Sequence, residues 1–300
     1  MSAGVRAIPR SLLCTPALSL DTVVKSWSYD ADVHIIDLED SIPGPVKAGA
    51  RQICREALDK APDAANVGVR INELGTIEAV HDLLMLTEGA VKPGFVVVPM
   101  VRFPAELVVI RKTFASAGAY PELYATIETA AAVARMDAIA AQADGLMLGS
   151  ADLAADIGVE ITWDGMLAAR QRMAIACAEH GIGCIDTPCF HLAQPAVLVE
   201  EIARVRALGF HGKITVHPKE LEAINQAFRP DAESLWFAHR VTRAVHAAAG
   251  GIAVLDGDMI GPPFARKARS TVALGEAWAK RFGSAVDARR GAKEPAHDHV

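Results

Sequence analysis

The chain has 300 residues, 51% of them apolar, and a formal net charge of −6: enough to bury one large core, with no basic footprint for nucleic acid. No uninterrupted apolar run approaches the roughly 18 residues of a membrane span, and the first ten residues lack the apolar centre of a secretory signal. Five cysteines without a C-x-x-C pair point to reduced thiols and a cytoplasmic protein; Cys14 and Cys184, inside strand-like runs, read as small core residues.

Taken in order, Leu12-Leu13-Cys14-Thr15 is a first strand, followed by a helix over 20–28. Val33-His34-Ile35-Ile36 leads into Asp37, Glu39 and Asp40, and a helix starts after Pro43-Gly44-Pro45, since proline suits a helix's first turn. A third strand ends at Arg70 in Val-Arg-Ile-Asn, a helix covers 76–86, and Phe95-Val96-Val97-Val98 suits a strand buried on both faces. A helix over 104–115 precedes a strand ending at Glu128, and the alanine-rich stretch 129–143 favours a helix. Gly145-Leu146-Met147-Leu148 runs into Ser150 and Asp152, followed by a short turn and a helix over 163–180. Ile182 to Ile185 ends at Asp186, a helix covers 195–208, and Ile214-Thr215-Val216 ends at His217.

Eight such repeats indicate parallel βαβ units and a (β/α)8 TIM barrel. A doubly wound open sheet would place a glycine-rich phosphate loop after the first strand, where this chain has Thr15-Pro16-Ala17. Residues 1–282 are expected to form one barrel domain, with a helical extension over about 231–282 made of helices 232–249 and 263–282 around an apolar-acidic piece at 252–260. The polar stretch 283–300 is expected to be disordered, and His297-Asp298-His299 within it to be solvated.

The reactive residues fall at the carboxyl ends of the strands, where a barrel of this kind carries its site. Glu128 and Asp152 lie about one repeat apart, so their carboxylates meet at the mouth and repel unless one is protonated or a cation lies between them. With water and substrate oxygens completing the shell, Mg²⁺ fits such a pair; the other reading has Asp152 capping the next helix. Arg70 suits a carboxylate or a developing enolate oxygen, or else a salt bridge to Glu39 or Asp40. Asp37, Glu39 and Asp40 read as a network orienting Arg70, with Asp40 alternatively a helix cap. His217 is either an acid–base group or a structural imidazole, and Asp186 either contacts substrate or caps a turn.

The motifs Arg10-Ser11 with Pro16, Asp37-Leu-Glu-Asp-Ser41 with Lys47 and Ala50-Arg51, Val69-Arg-Ile-Asn72, Ile127-Glu-Thr-Ala130, Gly149-Ser-Ala-Asp-Leu153, Gly209-Phe-His-Gly-Lys213, Val216-His-Pro218 and Asp256-Gly-Asp-Met-Ile260 occur in this order. Together they resemble the citrate lyase β-subunit-like (CitE-like) branch of the HpcH/HpaI aldolase superfamily. The resemblance implies a Mg²⁺-dependent carbon–carbon lyase on a TIM barrel, usually a trimeric or hexameric homo-oligomer. Relatives cleave or form 3-hydroxyacyl thioesters of the citryl, malyl or citramalyl type and release a keto acid. Carried over, Glu128 and Asp152 are metal ligands and Arg70 binds substrate; the expected site as a whole adds Glu128, Arg10 and His217 as substrate-binding positions, and Asp37, Glu39 and Asp40 join Arg70 and Glu128 as the catalytic group. Gly261 stands where CoA-lyase relatives often have an aspartate that serves a neighbouring subunit as acid–base group. The replacement leaves Asp256, Asp258, His217 or Asp186 for that role, or else a CoA-independent pyruvate or oxaloacetate aldolase or decarboxylase, or a non-catalytic subunit of a larger lyase.

Overall fold

A computed structural model describes residues 7–229 and 232–283. Contacts divide the chain into two compact units, Pro9–Ala227 and a second containing the segment from Phe228 onward. In the first, eight parallel strands close into a barrel in sequence order: β1 (Ser11–Pro16), β2 (Val33–Asp37), β3 (Val67–Arg70), β4 (Phe95–Val98), β5 (Glu122–Ile127), β6 (Gly145–Leu148), β7 (Gly183–Asp186) and β8 (Gly212–Thr215). Closure is made by β1 pairing with β8, Leu13 opposite Thr215.

Every residue of β4, β6, β7 and β8 is buried, as expected of parallel strands covered on both faces. The helices α1 (Leu20–Ser26), α2 (Lys47–Asp59), α3 (Ile77–Glu88) and α4 (Pro104–Ser116) alternate with the first five strands. Side-chain caps start several of them, with Thr76 accepting from Ala79 N ahead of α3 and Thr162 from Gly165 N ahead of α8 (Trp163–His180). The remaining barrel helices are α9 (Pro195–Leu208) and α10 (Leu221–Phe228).

Within the barrel unit the local elements depart from the sequence expectation at three places. The alanine-rich stretch 129–143 is two short helices, α5 (Ala130–Ala134) and α6 (Met136–Ala140), separated at Arg135, whose φ of −108° and ψ of 15° leave the helical region. The expected turn after β6 is a helix, α7 (Ser150–Ile157), ended by Gly158 in the left-handed conformation. The eighth strand stops at Thr215, so His217 lies past it and opens a 3₁₀ turn, Pro218–Glu220.

The second unit pairs α11 (Ala232–Ala247) and α12 (Pro262–Trp278) with an antiparallel hairpin, β9 (Ala253–Leu255) and β10 (Asp258–Ile260). The hairpin turn is Asp256-Gly257, both at positive φ (53° and 91°), which a two-residue turn of this hand requires. Ala238, Val241, Val245, Ile260, Ala265 and Ala268 form its core. The second expected helix, 263–282, ends at Trp278 and continues as a wider π turn, Ala279–Gly283. The tail from 284, with His297-Asp298-His299, lies outside the described residues.

Candidate active site

The register of β2 and β3 sets Asp37 directly opposite Arg70, and residues opposite each other on neighbouring strands share a face. Their side chains meet as a fork: Arg70 Nε donates to Asp37 Oδ1 and Nη2 to Oδ2, both at 2.7 Å. Asp37 also accepts from Ser41 Oγ at 2.5 Å and from Glu39 N at 3.0 Å. Burial pushes the Asp37 carboxyl up, but the Arg70 fork and the other two donors outweigh it, and its pKa lies below the ordinary value.

Arg70 Nη1 approaches Glu39 Oε2 to 2.7 Å, an ion pair without hydrogen-bond alignment. Glu39 is 9% exposed. Burial, opposed by Arg70 and reinforced by the charges of Asp40, Glu128 and Asp37, pushes its carboxyl up to about 8. Asp40 stands at the edge, mostly exposed, 3.9 Å from Arg70 Nη1. It caps no helix, since the turn Gly44–Val46 starts at Pro43 without a side-chain cap. A guanidinium has five N–H donors, so the two spent on Asp37 leave both on Nη1, beside Glu39, and one on Nη2.

Lys47, at the start of α2, holds the 38–39 backbone in place. Its Nζ donates to Leu38 O at 2.8 Å, Glu39 O at 2.7 Å and Asn72 Oδ1 at 2.5 Å. Asn72 in turn donates through N and Nδ2 to the buried Asp82 of α3.

Glu128 follows β5 and is 4% exposed. Its Oε1 accepts from Thr126 Oγ1 at 2.5 Å and from Met100 N. Met100 reaches that position with φ of 53°, a left-handed backbone uncommon outside glycine and found where surrounding structure imposes it. The Oε2 lies over Gly149, where an added Cβ would sit 2.3 Å from Oε2 and 2.6 Å from the Glu128 Cβ. Burial pushes the Glu128 carboxyl up, and Asp152 adds to the rise against the donors on Oε1.

Asp152 is not at a strand end as the sequence suggests; it is exposed, in the first turn of α7. It caps nothing, because Gly149 holds the N-cap position without a side-chain bond. Its carboxyl is also raised, by burial and then by Asp40, with Arg70 opposing. Glu128 thus feels the charge of Asp152, and Asp152 that of Asp40, within one cluster around Arg70, and the two carboxylates offer only oxygen donors. Among the described residues no three His, Cys, Asp or Glu side chains converge as a ligand set. An oxygen pair that leaves the remaining positions to water and ligand suits a hard cation such as Mg²⁺ and lacks the nitrogen and sulfur donors typical of zinc.

Three expected site residues stand elsewhere. Arg10 precedes β1, at the amino-terminal end of the barrel, and its guanidinium is buried on Asp32 at 2.8 and 3.0 Å with Nη1 on Asn225 O. It therefore joins strand bases and the end of α10 rather than meeting a substrate at the mouth. His217 caps its 3₁₀ turn, Nδ1 accepting from Lys219 N at 3.2 Å. Asp186 is fully buried between Arg170 Nε at 3.0 Å and Lys213 Nζ at 2.7 Å, which makes it an internal counter-ion. In the second unit Asp256 is tied by both oxygens to Arg240, at 2.7 and 2.6 Å.

A family model described as HpcH/HpaI aldolase/citrate lyase matches residues 10–218. The citrate lyase subunit beta of Escherichia coli (strain K12) is 28% identical over 286 residues, spanning 89% of this chain and 93% of that protein. A (3S)-malyl-CoA thioesterase of Cereibacter sphaeroides is 29% identical over 278 residues, spanning 89% and 95%. The crystal structure of CitE from Mycobacterium tuberculosis in complex with magnesium, acetoacetate and coenzyme A aligns with a TM-score of 0.75 at 27% identity, covering 90% of this chain and 98% of that one. With the same barrel and with the match running through Asp37, Arg70, Glu128 and Asp152, the chain belongs to the HpcH/HpaI aldolase/citrate lyase family.

Proposed function

We propose that this protein is a Mg²⁺-dependent carbon–carbon lyase that cleaves or forms a short 3-hydroxyacyl-CoA thioester of the citryl, malyl or citramalyl type, with release or uptake of a 2-keto acid. The observation that carries the reading is the pair of raised carboxylates, Glu128 fixed by Met100 N and Thr126, and Asp152 not engaged as a helix cap, beside an Arg70 with N–H donors to spare on Nη1 and Nη2. Relatives whose names refer to citrate and malyl-CoA, and a magnesium- and coenzyme A-bound structure neighbour, support the same substrate class.

Glu128 and Asp152 would hold the cation, which supplies Lewis-acid stabilisation of the keto-acid half when bound. In the cleavage direction the 3-hydroxyl gives up its proton to a base, its oxygen forms the keto C=O as the C2–C3 bond breaks, the electron pair of that bond moves toward the thioester oxygen, and the enolate so formed takes up a proton at C2. The spare Nη1 and Nη2 donors of Arg70 are placed to stabilise that developing charge, because Asp37 and Glu39 hold the guanidinium in one orientation. Glu39, buried and held toward its protonated form, is the barrel residue best suited to carry a proton beside Arg70. The pairing of Asp256 with Arg240 favours a second reading, a CoA-independent keto-acid aldolase or decarboxylase, because it occupies one of the acids that could replace Gly261.

The test is keto-acid release from malyl-, citramalyl- and citryl-CoA, beside free oxaloacetate, with and without Mg²⁺. Glu128→Ala and Asp152→Ala are each expected to abolish turnover with the circular dichroism of the folded barrel retained. Full activity in either variant would overturn the assignment, and turnover of oxaloacetate alone would select the second reading.

A further inference from the structure

Beside the mouth, the connections β6–α7 and β7–α9 and the facing surfaces of α8 and α9 enclose a cavity of about 270 Å³. Arg170 of α8 lines it while only 4% exposed. Its Nε donates to Asp186, and its guanidinium carbon lies 4.8 Å from the centroid of the Trp163 ring. Among the described residues no protein acceptor meets its Nη1 or Nη2. These nitrogens carry four N–H donors and are not sealed within protein, so their remaining accessibility is where Arg170 lines the cavity. The counter-ion is itself divided, since Lys213 takes the other oxygen of Asp186 and also reaches Glu201 at 3.1 Å. One nitrogen therefore anchors Arg170, and its terminal pair is left toward the cavity.

The remaining walls define the complementary ligand. Ser150 Oγ and Thr187 Oγ1, both buried, lie 2.8 Å apart on the cavity lining. One donates to the other, so the receiving hydroxyl keeps a proton to give. Met166 and Val197 supply an apolar side, and Glu200, Glu201 and Arg204 of α9 also line the cavity, Glu200 paired with Arg204 and Glu201 with Lys213. Two parallel N–H donors of a guanidinium match a carboxylate as a fork, and an apolar wall matches a hydrocarbon stem. The volume falls just under the roughly 300–1,000 Å³ of sites for drug-sized ligands, so the stem is short.

We propose that this cavity binds a short-chain monocarboxylate, gripped by Arg170 Nη1 and Nη2, with its stem against Met166 and Val197. It is a site separate from the mouth: neither Arg70, Glu128 nor Asp152 lines it. Ser150 begins α7 and Asp152 is its third residue, so an occupant touches the turn that carries the exposed carboxylate.

Calorimetric titration with butyrate and, separately, inorganic phosphate tests the proposal, with a chelator present so that a cation at the mouth plays no part. Butyrate is expected to bind saturably at one site and more tightly than phosphate, which has no stem. Arg170→Lys keeps a charge for Asp186 but gives up the fork, and should weaken butyrate by about tenfold or more. Val197→Phe fills the cavity and leaves Arg170 in place; it should abolish binding with the thermal midpoint of the parent protein. No saturable butyrate binding, equal affinity in all three proteins, or tighter binding of phosphate than butyrate would each overturn it.

Discussion

At the scale of single residues, the candidate metal pair depends on a position with no side chain. Gly149 has an ordinary φ of −101°, so glycine is needed there for close approach rather than for conformation. A methyl at 149 would meet both Oε2 and the Cβ of Glu128 at under 3.0 Å, and only the first of these is the free end of a flexible chain. Gly149→Ala should therefore displace the Glu128 carboxylate while leaving the buried strand β6 intact. Loss of residues that orient a metal ligand typically weakens metal affinity by about 10–100-fold. Titration of Mn²⁺ as a spectroscopic stand-in should show a fall in that range, with a lowered thermal midpoint from the clash with the Glu128 Cβ and the circular dichroism of the folded barrel retained; unchanged affinity would remove Glu128 Oε2 from the ligand set. Met100 belongs to the same support and was illegible in the sequence, because nothing in Val98-Pro99-Met100 announces a left-handed methionine whose amide turns toward Glu128.

At the scale of elements, the β2–β3 register converts two strand-end residues into one unit. Asp37 and Arg70 are opposite each other before any side-chain contact is considered, and Ser41 and Lys47 then fix the loop that brings Glu39 in. Removing one partner of a largely buried pair costs about 3–5 kcal/mol, so Asp37→Asn should lower the urea midpoint at neutral pH. The sign of its pH dependence follows from the depressed folded pKa. Such a carboxylate stabilises the fold above the unfolded value of about 3.9, and the contribution is lost as pH falls through the folded value. The gap between parent and Asp37→Asn should therefore narrow as the pH is lowered below about 4; a gap that widens would mean that the carboxyl is not held by Arg70.

The strands were legible because a parallel barrel strand must be apolar on both faces, and runs such as Phe95-Val96-Val97-Val98 have few other uses. The helices following β5 and β6 were less so. Alanine-rich propensity over 129–143 carries no mark of the break at Arg135, and Ser-Ala-Asp-Leu after β6 reads equally as a turn or as the first turn of α7. The place of Arg10 is illegible in the sequence for a related reason. A motif shows that a residue matters, but its end of the barrel depends on whether it precedes or follows its strand, and Arg10 precedes β1 to pair with Asp32.

At the scale of the whole molecule, the chain contains two compact units, so heating need not give one two-state transition. The proposed cation ligands both lie in the barrel unit, and so does the whole Arg70 cluster. Two tryptophans, Trp27 and Trp163, belong to the barrel, and two, Trp236 and Trp278, to the second unit. A Trp236→Phe/Trp278→Phe variant therefore reports barrel unfolding by fluorescence. A ligand bound only to the folded form at about 100 times its Kd stabilises by about 2.7 kcal/mol. For domains of about 150–250 residues that corresponds to a rise of roughly 5–10 °C in midpoint. Saturating Mg²⁺ should raise the barrel transition of this reporter by that amount, and adding Glu128→Ala and Asp152→Ala should remove the rise. An equal rise without the two carboxylates would place the stabilising ion somewhere other than the mouth. A rise that disappears with them ties the cation to the Glu128–Asp152 pair without reference to turnover, and so separates the metal site from the choice of substrate.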